Sequence, residues 1–337
     1  MRSKLGPIGM VALLVAVTIV VANMSGGADA RRTVPDRRDE TVRFWTNARV
    51  AGARERGFVR DRTTGDYRRV ALRRTSTTTT GSKWTGGGDI ASNTGRVFFT
   101  MNGAWWTCSA SAVQDLVSGR SVVVTAAHCA YDESGNSGFA ENWMFVPDYA
   151  ALHPGFDPDG YFCTETLHGC WTAEALVVSS RYAAAGGFND VAVLHDYAFA
   201  VLGAGGSSDR QLDAVVAPNP ISWTERAAGA DTWLFGYPAA GRYKGDSLTY
   251  CHGALGFDGA MDDLTLRIPC AMTGGSSGGP WLSPFAGSGP SRGTGTVFSV
   301  TSYSYGGTKF LHGPIFNAET TSMYAVALSA TSDTLVP

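Results

Sequence analysis

Short apolar runs separated by glycine, proline and polar residues dominate this chain from about residue 90 onward. The runs are rich in β-branched and aromatic residues, which is typical of strands. Helical periodicity is missing until residues 318–330, where we predict one closing helix. Many short strands with turn signals between them indicate a β-sandwich or a β-barrel. The predicted strands are Arg96–Thr100, Ser121–Thr125, Leu176–Ser179, Val191–Leu194, Thr232–Phe235, Leu264–Ile268 and Thr296–Val300.

Three polar motifs interrupt the apolar pattern, and together they contain the groups that serine-based catalysis requires. A serine hydroxyl is a weak nucleophile at neutral pH, so it needs a base, a group that orients the base, and donors for the oxyanion. We interpret Ser277 as the nucleophile, His128 as the base and Asp190 as the orienting carboxylate. The N–H groups of Gly275 and Ser277 would form the oxyanion hole. The motifs are Thr125-Ala126-Ala127-His128-Cys129, Asn189-Asp190-Val191-Ala192-Val193-Leu194 and Gly274-Gly275-Ser276-Ser277-Gly278-Gly279-Pro280.

The histidine and serine motifs resemble those of the chymotrypsin-like (trypsin-like) serine peptidases, as does the order His128, Asp190, Ser277. The resemblance is greatest to the secreted bacterial branch that includes the V8-like glutamyl endopeptidases. It implies an all-β fold of two antiparallel six-stranded barrels with a C-terminal helix and the triad in the cleft between the barrels. It also implies a secreted serine endopeptidase that hydrolyses protein or peptide substrates through an acyl-enzyme.

The same resemblance points to candidate substrate-binding residues. Ala271 stands six residues before the nucleophile, where trypsin-like members have an acidic pocket floor, so cleavage after Arg or Lys is disfavoured. The pocket wall falls within residues 297–303, with Ser299, Thr301 and Ser302 as equal candidates. V8-like enzymes have a histidine in this strand and this chain has none there, so we expect an uncharged P1 side chain. Ser276 replaces the usual zymogen aspartate, so activation by a buried N-terminal ion pair is not expected.

Two other functions fit parts of the pattern. The Gly275–Gly279 turn matches the Gly-x-Ser-x-Gly elbow of α/β-hydrolase esterases, but that fold needs an acid and then a histidine after the serine. No acid lies between Ser277 and His312, which is the only later histidine. A catalytically inactive secreted binding protein of the same fold is the second alternative. The presence of all three triad residue types argues against it.

The N-terminus has the features of an export signal. Arg2 and Lys4 precede an apolar stretch at residues 8–21, and Ala28-Asp29-Ala30 fits a small-x-small cleavage site. The apolar run is shorter than the ~20 residues that a membrane span needs. We therefore predict a signal peptide at residues 1–30, an extracellular protein, and no stable membrane association after cleavage.

Residues 31–74 differ in charge from the rest of the chain. They contain fourteen arginines, no lysine and six acids, a net charge of +8, whereas residues 75–337 carry −11. We predict a basic propeptide and linker at residues 31–80, which dock on and inhibit an acidic catalytic domain at residues 81–337. Arg73-Arg74 is one candidate cleavage site in this zymogen. A solvated leader without a docking role is the alternative, and nucleic-acid binding is not expected.

The six cysteines all follow the linker, and an even number in an exported chain indicates three disulfides. Fifteen pairings are possible in principle. The resemblance favours Cys108–Cys129, and proximity along the chain suggests Cys163–Cys170 and Cys251–Cys270. The spacings lack the Cys-x-x-Cys pattern of zinc sites. We therefore predict no metal and no cofactor, and we expect a monomer.

Overall fold

The computed structural model describes residues 34–69, 81–115, 119–134, 138–151, 160–289 and 292–337. Residues 34–337 form one compact unit. The predicted signal peptide and the Arg73-Arg74 pair lie outside the described residues. Within the described ranges, no helix has the length and apolar character that crossing a membrane requires.

The N-terminal segment (residues 34–69) contains two helices and three short strands. Helix α2 begins after Thr46, whose side chain accepts a hydrogen bond from the Arg49 N–H and so caps the first turn. The segment is followed, after an undescribed stretch, by a short strand and helix. These elements are α1 (Val34–Phe44), α2 (Asn47–Gly52), β1 (Arg54–Glu55), β2 (Phe58–Arg60), β3 (Tyr67–Arg69), β4 (Ser82–Lys83) and α3 (Asp89–Asn93).

Six antiparallel strands close into a barrel in the order β6-β5-β10-β11-β12-β7, because β6 also pairs with β7. Alternating apolar residues such as Val97, Phe99 and Val123 are wholly buried in one core of this half. Strand β1 adds to β6 in parallel, so the N-terminal segment extends the barrel sheet. The strands are β5 (Thr94–Met101), β6 (Ala104–Val113), β7 (Ser121–Thr125), β8 (Tyr131–Asp132), β9 (Gly138–Phe139), β10 (Glu141–Pro147), β11 (Trp171–Ser179) and β12 (Ala198–Leu202), with α4 at Ser180–Ala183.

The second half consists of two sheets around a core that includes Leu234, Ile268 and Trp281. One sheet has the order β18-β17-β13-β14-β4, and the other has the order β15-β16-β20-β19-β2-β3. Two strands of the N-terminal segment thus form the edge of the second sheet. The strands are β13 (Asp231–Gly236), β14 (Thr249–Ala254), β15 (Gly256–Phe257), β16 (Thr265–Pro269), β17 (Pro280–Phe285), β18 (Gly295–Val300), β19 (Tyr303–Tyr305) and β20 (Phe310–Pro314).

A C-terminal helix, α5 (Ala318–Ala327), closes the fold. Asn317 and Thr320 form a reciprocal capping box at its start, which satisfies N–H groups that would otherwise lack partners. Strand β21 (Thr334–Val336) then pairs with β11. The predicted all-β class with a barrel and a closing helix is confirmed.

One predicted strand is wrong. Residues 191–194 do not form a strand, because Ala192–His195 is a 3-10 helix. The side chain of Asn189 accepts hydrogen bonds from the N–H groups of Val191 and Ala192, which favours a turn over an extended chain. The strand forms instead from the next apolar run, β12. The other six predicted strands all coincide with or overlap observed strands.

All three suggested disulfides are present: Cys108–Cys129, Cys163–Cys170 and Cys251–Cys270. The first joins β6 to the turn after β7. The third joins β14 to the residue after β16, seven residues before Ser277. Two of the three therefore support the segments that carry the candidate catalytic residues. A disulfide of this kind contributes about 2–4 kcal/mol to stability.

Candidate active site

His128 lies in a 3-10 turn, Ala127–Cys129, that follows β7. Its side chain is wholly buried, and the Cys108–Cys129 disulfide fixes the turn against β6. Both sulfurs lie close to the ring, but they are joined to each other and are not free thiolates that could bind a metal. The histidine is therefore held in place by covalent and packing constraints.

The carboxylate beside His128 belongs to Asp196. Its Oδ2 lies 2.8 Å from Nδ1 of His128, and its Oδ1 accepts the His128 backbone N–H at 2.9 Å. The Ser302 hydroxyl also donates to Oδ2. Asp196 and His128 are brought together because β12, which begins two residues after Asp196, pairs with β7, which ends three residues before His128. A buried carboxylate in this position fixes the orientation and tautomer of the ring.

Asp190 does not contact His128, so the predicted orienting role of Asp190 is wrong. Its side chain is 54% exposed and binds Arg60 of the N-terminal segment through both carboxylate oxygens at 3.0 Å. Tyr67 donates a further hydrogen bond to it at 2.9 Å. The same kind of pattern in the sequence could have identified Asp196. This residue directly precedes the apolar run Tyr197-Ala198-Phe199-Ala200, as Asp190 directly precedes its own apolar run.

Ser277 lies in a glycine turn that packs directly on the histidine motif. Gly278 has φ +78°, and a Cβ added there would lie 2.2 Å from Thr125 Oγ1 and 2.8 Å from the Ala126 nitrogen. Only glycine satisfies both the backbone conformation and this close approach. The Ser277 carbonyl accepts the Ser109 N–H at 2.7 Å, which ties the turn to β6. The turn and the histidine motif are therefore immediate neighbours.

The two N–H groups of the predicted oxyanion hole come from Gly275 and Ser277. Gly275 has φ +94°, a conformation that favours glycine, and its carbonyl accepts a hydrogen bond from the Ser109 hydroxyl. Within the part of the chain that the structure describes, neither N–H donates a hydrogen bond to the protein. The Ser276 side chain instead turns inward to the Thr273 carbonyl. Both donors thus remain available to a ligand.

Comparisons with known proteins agree with this geometry. Neither a protein-family model nor a curated protein matches the chain. The chain is 32% identical to the protease Anisep from Arthrobacter nicotinovorans, with 74% of this chain and 100% of that chain covered and a TM-score of 0.58. The chain belongs to the chymotrypsin-like serine protease family. The predicted family is therefore confirmed.

Two more solved structures resemble this protease. The thermostable serine protease AL20 from an extremophilic microorganism is 34% identical, with 71% of this chain and 98% of that chain covered and a TM-score of 0.57. A Glu endopeptidase shares the fold at 14% identity, with 75% and 99% covered and a TM-score of 0.52. The aligned neighbours leave about a quarter of this protease without a counterpart.

The four predicted substrate-binding residues of the protease separate into two groups. Thr301 and Ser302 line a small cleft together with Ser277. Ala271 and Ser299 are buried and do not line this cleft, and the Ser299 hydroxyl donates to the Pro314 carbonyl. The two that reach the cleft do so because the Thr301 backbone exchanges hydrogen bonds with the glycines that follow Ser277. Sequence reasoning missed that the Ser302 hydroxyl binds Asp196, so Ser302 contacts the Asp196–His128 pair as well as lining the cleft.

A buried polar cluster lies behind the wall of the cleft. The hydroxyls of Tyr303 and Tyr305 donate to Asp258 Oδ2 at 2.9 and 2.7 Å, and the His312 ring stacks on Tyr303. Burial opposes ionisation of Asp258, but the interactions with His312 and the two tyrosines lower its pKa overall. Burial lowers the pKa of His312, so this ring is neutral at neutral pH. The cluster fixes the strand that lines the cleft.

The N-terminal segment covers the candidate active site of the protease. The Phe58 ring stacks on Phe188 at 3.7 Å and meets the His128 ring edge-on at 5.2 Å. A Cβ added at Gly57 would lie 3.6 Å from Ser277 Oγ, so the backbone at residue 57 lies against the Ser277 hydroxyl. In this arrangement His128 Nε2 has no hydrogen-bond partner among the described residues. Residues 57 and 58 thus occupy the space over Ser277 and His128.

Proposed function

We propose that this protein is a secreted serine endopeptidase that uses Ser277, His128 and Asp196 as its catalytic triad. The observation that supports this most strongly is the buried Asp196–His128 pair, with a 2.8 Å contact to Nδ1. It packs against a glycine turn that presents Ser277. A pair of this kind leaves Nε2 to act on a hydroxyl, whereas a binding protein has no need for it.

Each group has a defined part in the reaction. Ser277 Oγ attacks the scissile carbonyl while His128 Nε2 takes its proton, and Asp196 stabilises the imidazolium that forms. The N–H groups of Gly275 and Ser277 donate to the oxyanion, an interaction worth about 2.7–4 kcal/mol per donor in such sites. His128 then protonates the leaving amine, and water hydrolyses the acyl-enzyme with His128 as base. Three disulfides and the predicted export signal support an extracellular site of action.

The pocket beside Ser277 favours an uncharged P1 side chain. Its lining includes Met272, Thr273 and Thr301, none of which carries a charge. Ala271, the floor predicted from the sequence, is buried and does not line this cleft. Binding Arg or Lys there would therefore cost desolvation without an ion pair in return. Strong P1 selectivity for Arg or Lys on a peptide library would contradict this assignment.

Covalent labelling tests the nucleophile. We expect a fluorophosphonate to label the processed protein stoichiometrically and Ser277→Ala to abolish both labelling and peptide hydrolysis, because the labelled hydroxyl is then missing. The matched control is Ser276→Ala, whose side chain bonds to the Thr273 carbonyl and should leave labelling intact. Persistent labelling of Ser277→Ala would refute the proposal.

We further propose that residues 31–80 are an inhibitory propeptide and that the full chain is a zymogen. Strand β2 adds to the edge of β19 next to the cleft, and Phe58 packs on His128. An extended peptide that adds to an exposed sheet edge in this way would compete with substrate for the same edge. About a quarter of the chain also lacks a counterpart in the related proteases, which fits a part that is removed.

Cutting the chain tests this inhibition. We insert a site for a sequence-specific protease within residues 75–80 and expect activity to rise after cleavage, because the segment can then dissociate. Phe58→Ala should raise the activity of the uncut chain, since it removes the ring that contacts His128 and Phe188. Phe44→Ala, which truncates an aromatic residue in α1 of the same segment, is the control and should have less effect. Equal activity of the cut and uncut wild-type chains would contradict the zymogen proposal.

A further inference from the structure

The N-terminal segment places one arginine in a buried acidic pocket of the protease. The Arg56 side chain is 0% exposed. Its Nε donates to the backbone carbonyl of His128 at 2.6 Å, and its Nη2 lies 2.9 Å from Glu133 Oε2 and 3.4 Å from Asp132 Oδ1. The guanidinium therefore contacts two carboxylates and one carbonyl at once. Two of the guanidinium nitrogens, Nε and Nη2, meet acceptors here, whereas Nη1 has none among the described residues.

The pocket is lined by residues of the barrel, outside the N-terminal segment. Trp106 forms one wall, with its ring 5.4 Å from the Arg56 guanidinium carbon. Asp132 also accepts hydrogen bonds from Asn102 and Ser134, at 2.5 and 2.6 Å. These side chains belong to β6, β8 and neighbouring turns of the barrel. The acidic site is thus formed by residues of the barrel that lie outside the N-terminal segment.

Glu133 is the carboxylate that most needs a cation in this pocket. Its side chain is 3% exposed, and apart from Arg56 the described residues give it one hydrogen-bond donor, Tyr182 at 3.1 Å. Burial and the neighbouring Glu133 raise the pKa of Tyr182 well above its ordinary value, so this hydroxyl remains a neutral donor. Removing one partner of a buried ion pair leaves an uncompensated charge, which is strongly unfavourable. The pocket therefore favours binding of another cationic group.

The pocket lies directly beside the reacting groups. Arg56 precedes Gly57, whose backbone lies against Ser277 Oγ, and the Arg56 N–H donates to the Thr107 carbonyl of β6. A peptide that crosses the cleft would bring a side chain to this position within one or two residues of the bond at Ser277. The position is on the β6 side of the nucleophile, whereas β19 and the P1 cleft lie on the other side.

We propose that this pocket is a substrate subsite that binds an arginine side chain flanking the scissile bond on the β6 side. The proposal rests on the proposed peptidase function. It assigns a cationic preference to a position other than P1. Another ion pair of the segment, Arg60–Asp190, does not define a comparable site, because Asp190 is 54% exposed and exposed pairs contribute little.

The experiment uses the full chain carrying the inserted cleavage site, cut after folding and freed of residues 31–74. It is supplied with a peptide library, and the cleavage positions are read by mass spectrometry. We expect arginine to be enriched at one position C-terminal to the cleaved bond, because the β6 side lies opposite the P1 cleft. A matched peptide set then varies that position among Arg, Lys and citrulline, the uncharged isostere of arginine. Arg should exceed citrulline in kcat/KM by about 10- to 100-fold, the range for a hydrogen-bonded charged group, with Lys between them.

Glu133→Gln tests the pocket from the protein side, because it removes the charge and keeps the size. We expect it to reduce the preference for Arg over citrulline, with Asp132 remaining as the second carboxylate, while fluorophosphonate labelling of Ser277 continues. The control is Asp190→Asn, which removes an acidic group outside this pocket and should keep the arginine preference. Cleavage without arginine enrichment, or the same enrichment in Glu133→Gln, would overturn the subsite and leave the peptidase proposal standing. Absence of both labelling and cleavage would overturn both proposals.

Discussion

The identity of the residue that orients His128 depends on a difference of six positions in the chain. Asp196 is buried and contacts both Nδ1 and the backbone N–H of His128. Asp190 is half-exposed and contacts Arg60 and Tyr67 of the N-terminal segment. The first carboxylate can stabilise an imidazolium in a buried site, where such an interaction is strong. The second holds the N-terminal segment through these two residues.

Exchange of each carboxylate for an amide separates these roles. In the processed protein, Asp196→Asn should lower kcat by about 10⁴-fold, because an amide beside Nδ1 favours the wrong ring tautomer. Asp190→Asn should leave kcat near the wild-type value, since this residue does not reach the ring. Steady-state kinetics on a peptide substrate measures both. A large loss in Asp190→Asn together with a normal Asp196→Asn would reverse the assignment.

At the scale of elements, the site depends on three connections that lie close together in the fold. The turn after β7 carries His128, the segment before β12 carries Asp196, and the turn between β16 and β17 carries Ser277. The pairing of β7 with β12 brings the first two together. The third is held by the close approach of Gly278 to Thr125 and Ala126. A change at Gly278 should therefore affect catalysis as well as stability.

Gly278→Ala should lower both the thermal stability and kcat/KM. Its φ of +78° strains an alanine by about 1–2 kcal/mol, and the new methyl would meet Thr125 Oγ1 at 2.2 Å. The control is Gly229→Ala, where φ is +84° and nothing lies within 4 Å of the added Cβ. Gly229→Ala has the same backbone strain as Gly278→Ala but no steric clash, so it should lower the thermal stability and leave the activity unchanged. Melting curves and peptide hydrolysis distinguish the two, and similar kinetics for both variants would contradict this role of Gly278.

For the whole molecule, the basic N-terminal segment and the acidic remainder form a single compact unit. The segment contributes strands to two of the sheets: β1 extends the barrel, and β2 and β3 extend the sheet beside the cleft. Arg56 and Arg60 meet the acidic part at the two sides of the candidate active site. The opposite net charges noted in the sequence therefore correspond to specific contacts as well as to general attraction.

The stability of the full chain should fall as the pH is lowered from 7 towards 3. The folded state holds His312 neutral, because burial lowers its pKa below the ordinary value of 6.5. The contribution of His312 to the free energy of unfolding is therefore complete above pH 6.5 and is lost as the pH falls. The folded state also lowers the pKa of Asp258 below 3.8, so its contribution is present above that pH and is lost as the pH falls towards the folded value. Both effects have the same sign.

Melting temperatures between pH 7 and pH 5 test the part due to His312, with Ser277→Ala in all samples to prevent self-digestion. His312→Phe keeps a ring to stack on Tyr303 and removes the titrating group, so its melting temperature should vary less over this range. His252→Phe is the control, since the His252 side chain is 43% exposed. Parallel pH profiles for His312→Phe and the wild type would contradict this explanation.

The local features of this protein were determined by its sequence. Alternating apolar residues specified six of the seven strands that we predicted, and the Gly-rich turn, the histidine motif and the cysteine spacing specified two catalytic candidates and three disulfides. These features depend on neighbours within a few residues, on the period of the side chains, or on motifs that the family shares. A reader of the sequence can therefore recover them without knowing the fold.

Only the tertiary structure decided which aspartate meets His128 and where the basic segment binds. Two aspartates precede similar apolar runs, and the difference between them arises because β12 pairs with β7 while Asn189 turns the earlier run into a helix. The pocket for Arg56 likewise joins residues 102, 106, 132, 133 and 182, which are distant in sequence. Contacts of this kind depend on strand pairing across the whole chain, and a local pattern contains no information about that pairing.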